Sequence, residues 1–255
     1  MESTLSTYNL LSRNLTRTLA VKAAEKPIAL ESKYYLDNIG KIKTVDEFLK
    51  NTRVFNFAMK AFGLEEMAYA KGYMRKVLNE GVTNPKSFAN RLNDDRFVAF
   101  AKAFDFKTNG ATTTASADLK QPVVDKYVRQ SLEVDEGFSN QGVQLALYFK
   151  RTAPTVKSAY GLLADPALWK VVKTIFDFPD VMGLAAIDKQ AQAVKKQLNM
   201  ADLKDPKKLD NLLKRFTVKW DAAQGVGASP LLELFNRGSV STTTTLSILS
   251  LKIGG

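Results

Sequence analysis

Three carboxylate pairs stand out first: Asp46/Glu47, Glu65/Glu66 and Asp94/Asp95. Adjacent acids can share a proton for acid–base work or hold a divalent ion. Each pair here opens a stretch with helical apolar spacing, where the helix macrodipole already favours acids. A fourth group, Glu133, Asp135 and Glu136 in EVDEG, lacks the D-x-D-x-D-G order of a calcium loop and reads as solvation of a helix end. No serine is followed three residues later by lysine, so the common Ser–Lys nucleophile spacing is missing. Gly225-Val226-Gly227 has no third glycine, no strand before it and no GK[ST] ending, and so makes no phosphate loop. The chain contains neither histidine nor cysteine. That excludes disulfides, a thiolate nucleophile, an imidazole base and a Cys/His zinc site. The expectation is a protein that is not an enzyme, with no catalytic residue, no metal ligand and no cofactor.

The elements that would carry these residues are helices. Thr44 and Glu47 have capping-box spacing ahead of Phe48, Phe55, Met59 and Phe62, and Gly63 is a stop signal. A second helix opens with Glu65/Glu66, carries Met67, Ala70, Met74 and Leu78 on one stripe, and closes at Gly81. Asn84-Pro85 marks an N-cap with proline at the first helical position. Phe97, Phe100, Ala101 and Phe104 continue the apolar face, and core packing explains these aromatics better than base stacking. Residues 107–118 are small, polar and unperiodic, which predicts a loop. Val124, Tyr127, Val128 and Leu132 resume the helical pattern, and it returns after Gly137 with Val143, Leu147 and Phe149. The fold class is all-α, a multi-helix bundle.

The chain also resembles itself. LKNTRVFNFAMKAF (49–62) aligns without gaps to LADPALWKVVKTIF (163–176), pairing Leu49 with Leu163, Phe55 with Trp169 and Phe62 with Phe176. RKVLNEGVTNPKSFANRL (75–92) aligns with one gap to KKQLNMADLKDPKKLDNLL (195–213), pairing Leu78-Asn79 with Leu198-Asn199 and Asn84-Pro85 with Asp205-Pro206. The pattern predicts internal duplication of a roughly three-helix unit. The expected organisation is an N-terminal helical segment (1–43), a first repeat half (44–154), a second half packed against it (155–222) and a C-terminal tail (223–255).

Lys and Arg number 37 against 26 Asp and Glu, a net charge of +11 in 255 residues. The excess is diffuse and heaviest in the second half. A candidate basic patch comprises Lys195, Lys196, Lys207, Lys208, Lys214 and Arg215. Interleaved Asp202, Asp205 and Asp210 favour a solvated helix face over a nucleic-acid surface. No run of about 18 apolar residues predicts a membrane span. Arg13 and Arg17 interrupt the first 20 residues, which argues against a Sec signal peptide. Leu5, Tyr8, Leu11, Leu15 and Leu19 form a loose stripe at one end, and Leu246, Leu249 and Ile253 form another. These stripes either pack on the core or find partners only in an assembly; Leu5, Tyr8, Leu15, Leu19, Leu246, Leu249 and Ile253 are the candidate interaction surface.

The stretch YYLDNIGKIKTVDEFLKNTRVFNFAMKAFGLEEMAYAKGYMRKVLNEG (34–81) closely resembles the alphaproteobacterial, chiefly rhizobial, family called domain of unknown function 1217. DKYVRQSLEVDEG (125–137), GVQLALYFKRTAP (142–154), DPKKLDNLLKRFTVKWD (205–221) and the closing LKIGG share that resemblance. It implies an all-helical, internally duplicated domain whose genes often sit among flagellar genes, and it carries no catalytic residues. The expected function is flagellum assembly or motility through protein partners, with the chain in the cytoplasm or exported to the flagellum. The alternatives are an exported axial component of the flagellum and a basic nucleic-acid-binding regulator.

Overall fold

Most helices begin where a short polar side chain can close the first turn. Ser3, Thr44, Asn51, Asp94, Asn140, Ser158, Asp165 and Asp205 each accept a hydrogen bond from a backbone amide two or three residues ahead. Each satisfies a donor that the helix itself leaves unpaired. The computed structural model describes residues 3–92 and 94–225. It runs α1 (Thr4–Arg13), α2 (Leu15–Ala24), α3 (Lys26–Ile39), α4 (Val45–Lys50), α5 (Thr52–Ala61), α6 (Lys71–Glu80), α7 (Phe88–Arg91) and α8 (Asp95–Ala103). It continues with α9 (Phe106–Asn109), α10 (Gln121–Ser139), α11 (Gln141–Thr152), α12 (Ala159–Ala164), α13 (Pro166–Ile175), α14 (Ile187–Gln197) and α15 (Pro206–Ala223). No strand occurs among the described residues, and the fold is all-α.

Two apolar cores form. The first gathers Tyr35, Phe48, Phe55, Phe57, Phe100, Phe104 and Tyr127 with aliphatic neighbours from α3 to α10. The rings of Tyr35, Phe57 and Tyr127 stack in series at 4.5 and 3.9 Å between centroids. The second core gathers Tyr8, Leu147, Phe149, Leu162, Val171, Ile175, Leu213 and Phe216 from α1 and α11 to α15. The halves meet chiefly through the α10–α11 hairpin, whose first helix packs on α5 and whose second packs on α13 and α15. The packing therefore divides between Val128 and Val143, not at the expected boundary of 154. The 1–43 segment is likewise shared: α1 lies on α11 and α15, whereas α2 lies on α10.

One of the two segments aligned from the sequence falls on helices of equal length and spacing. α4 and α12 begin at Val45 and Ala159, and α5 and α13 at Thr52 and Pro166, both intervals of 114 residues with equal helix lengths. The caps correspond as Thr44 with Ser158 and Asn51 with Asp165. Both second helices end on the same bond, Leu64 N–H to Met59 C=O at 2.8 Å and Phe178 N–H to Lys173 C=O at 3.0 Å. Each needs a left-handed residue just before it: Gly63 (φ 69°) and Asp177 (φ 51°). The second aligned pair does not keep register. Leu78-Asn79 lies inside α6, whereas Leu198-Asn199 lies beyond α14.

Several expected boundaries move. Glu65–Met67 forms a 3-10 turn and α6 starts only at Lys71, because fully buried Leu64 redirects the chain after Gly63. Asn84-Pro85 forms a turn rather than a helix start: the Asn84 side chain accepts from Lys86 N–H at 2.9 Å, and α7 begins at Phe88 behind Ser87. Residues 107–118 complete α9 and continue as two 3-10 turns, Gly110–Ala115 and Ala117–Leu119, rather than an open loop; they lie on the surface, pinned where buried Thr114 donates to the Ile42 carbonyl at 2.5 Å. Gly137 sits inside α10 and does not end it. A Cβ there would meet the amide end of the Gln144 side chain, which reaches over Gly137 from α11.

Candidate functional site

The ends of these helices leave a cleft of about 1150 Å³ between the two halves. Gly63, Glu66, Asp94, Asp95 and Arg96 form one wall, Tyr160, Asp165, Leu168 and Ile187 the other, and Gln130, Glu133, Gln144 and Tyr148 from the α10–α11 hairpin the floor.

Local backbone needs place the wall residues. Asp94 caps α8 by accepting from Arg96 N–H at 2.9 Å, and its carboxylate also holds the Arg96 guanidinium at 2.8 Å. Arg96 in turn donates to the Gly63 carbonyl at 2.6 Å, joining α8 to the end of α5. The hydrogen bond that Arg96 donates to the Asp94 carboxylate raises the arginine pKa above its ordinary value. Across the cleft, one oxygen of Asp165 caps α13 at 2.8 Å from Ala167 N–H, and the other accepts from the Tyr148 hydroxyl at 2.6 Å. Burial, and then the Asp165 charge, push the Tyr148 pKa well above the usual phenol range.

The floor rests on an ion network. Glu133, 1% exposed, accepts from Arg129 at 2.7 Å and from Arg151 at 3.0 and 2.7 Å. Arg129 also donates to the Leu147 carbonyl at 3.0 Å, and Arg151 to Gln130 at 3.1 Å. Burial opposes the charge on Arg151, but Glu133 outweighs it and raises the arginine pKa. A buried carboxylate held between two arginines by three hydrogen bonds, with both oxygens engaged, is a structural anchor. Glu133 therefore corrects the reading of EVDEG as a solvated helix end.

The cleft presents few groups ready for chemistry. Tyr148 and Asp165 engage each other, and Arg96 is held by Asp94. Among the described residues, no three metal-ligating side chains converge. The mouth is different. Asp95 has no cationic partner among the described residues, and Glu66 approaches Arg96 only to 3.7 Å. Tyr160 and Ile187 stand 44% and 54% exposed at the opposite lip.

The expected interaction surface fares unevenly. Tyr8 is wholly buried in the second core, with its hydroxyl 3.5 Å from Asp210, so it packs the core and offers no surface. Leu5, Leu15 and Leu19 are half-buried; Leu11 packs on the second core and Leu19 on the first. Asp221 secures this end by accepting from Ser3 Oγ (2.8 Å), Thr4 N–H (2.9 Å) and Leu5 N–H (3.3 Å). Leu246, Leu249 and Ile253 lie outside the described residues.

The candidate basic patch is divided rather than continuous. Lys208 pairs with Asp202 at 2.7 Å and Lys214 with Asp210 at 2.8 Å. Arg215 donates to the Ile175 carbonyl at 3.3 Å, and Lys195 lies over the Tyr160 ring at 5.6 Å. Lys196 and Lys207 remain exposed without a carboxylate partner among the described residues. Sequence reasoning missed Arg96, Gln130, Tyr148 and Tyr160 as neighbours. The one local signal was the i, i+4 spacing of Arg129 and Glu133.

The crystal structure of a protein from Agrobacterium tumefaciens is similar to this fold, with a TM-score of 0.81 and 44% sequence identity over 86% of this chain and 94% of that one. No curated protein matches the chain. The family described as "Protein of unknown function (DUF1217)" matches residues 61–209, more than half of the sequence. The chain therefore belongs to the DUF1217 family.

Proposed function

We propose that this chain is a non-enzymatic helical protein that acts by protein–protein contact in flagellum assembly or motility. The observation that carries the contact reading is the cleft between the halves. Its deep polar groups are bound to one another, while its mouth keeps apolar and acidic side chains exposed. That is the anatomy of a surface that recognises a partner: a satisfied polar floor and an apolar rim left to be covered. The flagellar clause rests on the family's resemblance and the genes that accompany it. The helical limits recurring at 114 residues support reading α4–α5 and α12–α13 as copies of one ancestral unit, with the cleft between them.

Deleting the gene tests the functional reading. The expected outcome is reduced swimming on soft agar together with fewer filaments per cell. Wild-type swimming and filament number in the deletion strain would overturn it. Complementation with Ile187→Glu then isolates the cleft: the variant should fold yet restore swimming poorly.

A further inference from the structure

Charge is arranged unevenly around the cleft. Its lining holds five carboxylates, Glu66, Asp94, Asp95, Glu133 and Asp165, against the single guanidinium of Arg96, on a chain of net charge +11. Arg129 and Arg151 neutralise Glu133 from beneath, and the one charge of Arg96 is shared between Asp94 at 2.8 Å and Glu66 at 3.7 Å, so the excess negative charge lies at the mouth, on Asp95, unpaired among the described residues, and on exposed, loosely paired Glu66. Helix α14 starts at that mouth and passes its lip, where Asp188 accepts from the Tyr160 hydroxyl at 2.8 Å and Lys195 lies over the Tyr160 ring at 5.6 Å. Ile187, its first residue, lines the cleft, and its last residue, Gln197, lies about 15 Å further along the axis at the usual helical rise. Where α14 meets α15, Lys196 in the last turn of α14, Lys204 in the connection and Lys207 in the first turn of α15 are all exposed and without a carboxylate partner among the described residues. An acidic cleft and an unpaired basic turn thus sit at opposite ends of one helix.

We propose that the occupant of the cleft is a second copy of this chain, whose basic α14–α15 turn enters the acidic mouth. The inference rests on the contact reading above and names one partner for it. The two complementary surfaces are different patches of the same molecule. The contact is therefore head-to-tail: it leaves one free cleft and one free basic turn on each dimer, and it propagates into a ring or an open filament. Lysines meeting carboxylates at a solvent-open mouth make an association that salt weakens. Apolar Tyr160 and Ile187 at the lip supply the surface that excludes water on closure.

Sedimentation velocity of the full chain tests this. At about 0.05 M salt the weight-average sedimentation coefficient should rise with protein concentration, and raising salt to about 0.5 M should weaken association at least ~10-fold. Two variants separate the surfaces: Glu66→Lys with Asp95→Lys disables the cleft, and Lys196→Glu with Lys204→Glu and Lys207→Glu disables the turn. Each should be monomeric alone, with a wild-type circular dichroism spectrum. Mixed in equal amounts they should form a 1:1 dimer and nothing larger, since each retains the surface the other lacks. A wild-type chain that stays monomeric to about 0.2 mM at low salt overturns the proposal. So does a cleft variant that associates like wild type, or a mixture that does not pair. A monomeric wild type combined with a swimming defect in the deletion strain would remove self-association while leaving the contact reading intact.

Discussion

Helices α4–α5 and α12–α13 match in length at an interval of 114 residues and are filled differently. Position by position, Phe48 faces its core where Leu162 does, Val54 where Leu168 does, Phe57 where Val171 does, Ala58 where Val172 does and Ala61 where Ile175 does; all ten are buried. The first unit places its bulk in aromatics and leaves small alanines beside them. The second spreads similar volume over branched aliphatics. Cores tolerate such exchanges when total volume and pattern are kept. What does not vary is the punctuation: a polar cap before each helix and a left-handed residue after the second. Between the two pairs the bonds at the helix ends correspond while the side chains that fill the interior differ.

The sharpest way to break the parallel is to remove one residue from each core. Phe48 touches Phe55, Phe100, Phe104 and Phe106, with ring centroids 4.7–6.2 Å away. Phe48→Ala should cost about 3–5 kcal/mol in urea unfolding, against about 3 kcal/mol for Leu162→Ala. Equal losses would show that the aromatic cluster adds nothing beyond its volume.

Next in size is the anchor beneath the cleft. Glu133→Gln leaves Arg129 and Arg151 without their counter-ion and should destabilise by about 3 kcal/mol. The two halves should then separate in hydrogen exchange, with amides of α10 and α11 losing protection first. Unchanged protection there would mean that apolar packing alone joins the halves.

Asp221 distinguishes the units in another way, because it fixes α1 to the second half only. Burial would raise its pKa, but hydrogen bonds from Thr4, Ser3 and Leu5 outweigh that and hold it below 3.8. A lowered folded pKa means the stabilisation is complete above the unfolded value and is lost as pH falls through the folded one. Asp221→Asn should therefore cost about 1–2 kcal/mol at neutral pH, with the gap to wild type closing below pH 3.8. A gap that persists at lower pH would assign the effect to packing.

The smallest effect concerns the left-handed residues. Gly63→Ala forces a side chain into φ 69° and should cost about 1 kcal/mol, while Asp177→Gly relieves φ 51° and should gain a few tenths after losing the exposed pair with Lys219. Thermal melts of the two variants should move in opposite directions. Matching shifts would refute the equivalence of the two positions.

Much of this was legible locally. Thr44 and Glu47 form the first half of the expected box, with Glu47 N–H donating to Thr44 Oγ1 at 3.1 Å, while the Glu47 carboxylate reaches one residue further back and accepts from Lys43 N–H at 2.7 Å. Phe48, Phe55 and Met59 bury as their spacing required. Gly63 and Gly81 end helices, but Gly137 does not: it sits inside α10 with the Gln144 side chain of the next helix over it, and no neighbour in sequence reports that. The cleft was illegible for the same reason. Arg96 meets Gly63, 33 residues away, and Arg151 meets Glu133, 18 residues away.

Composition excluded histidine and cysteine chemistry, and periodicity with caps set the helical class, because both act within a turn or two of chain. Which acids stay at the cleft mouth and which are neutralised beneath it was settled by folding. Tyr8 became core, Glu133 became an anchor, and the basic patch split into paired and unpaired lysines. Pairing depends on distances across elements far apart in sequence, and those distances exist only once the helices are packed.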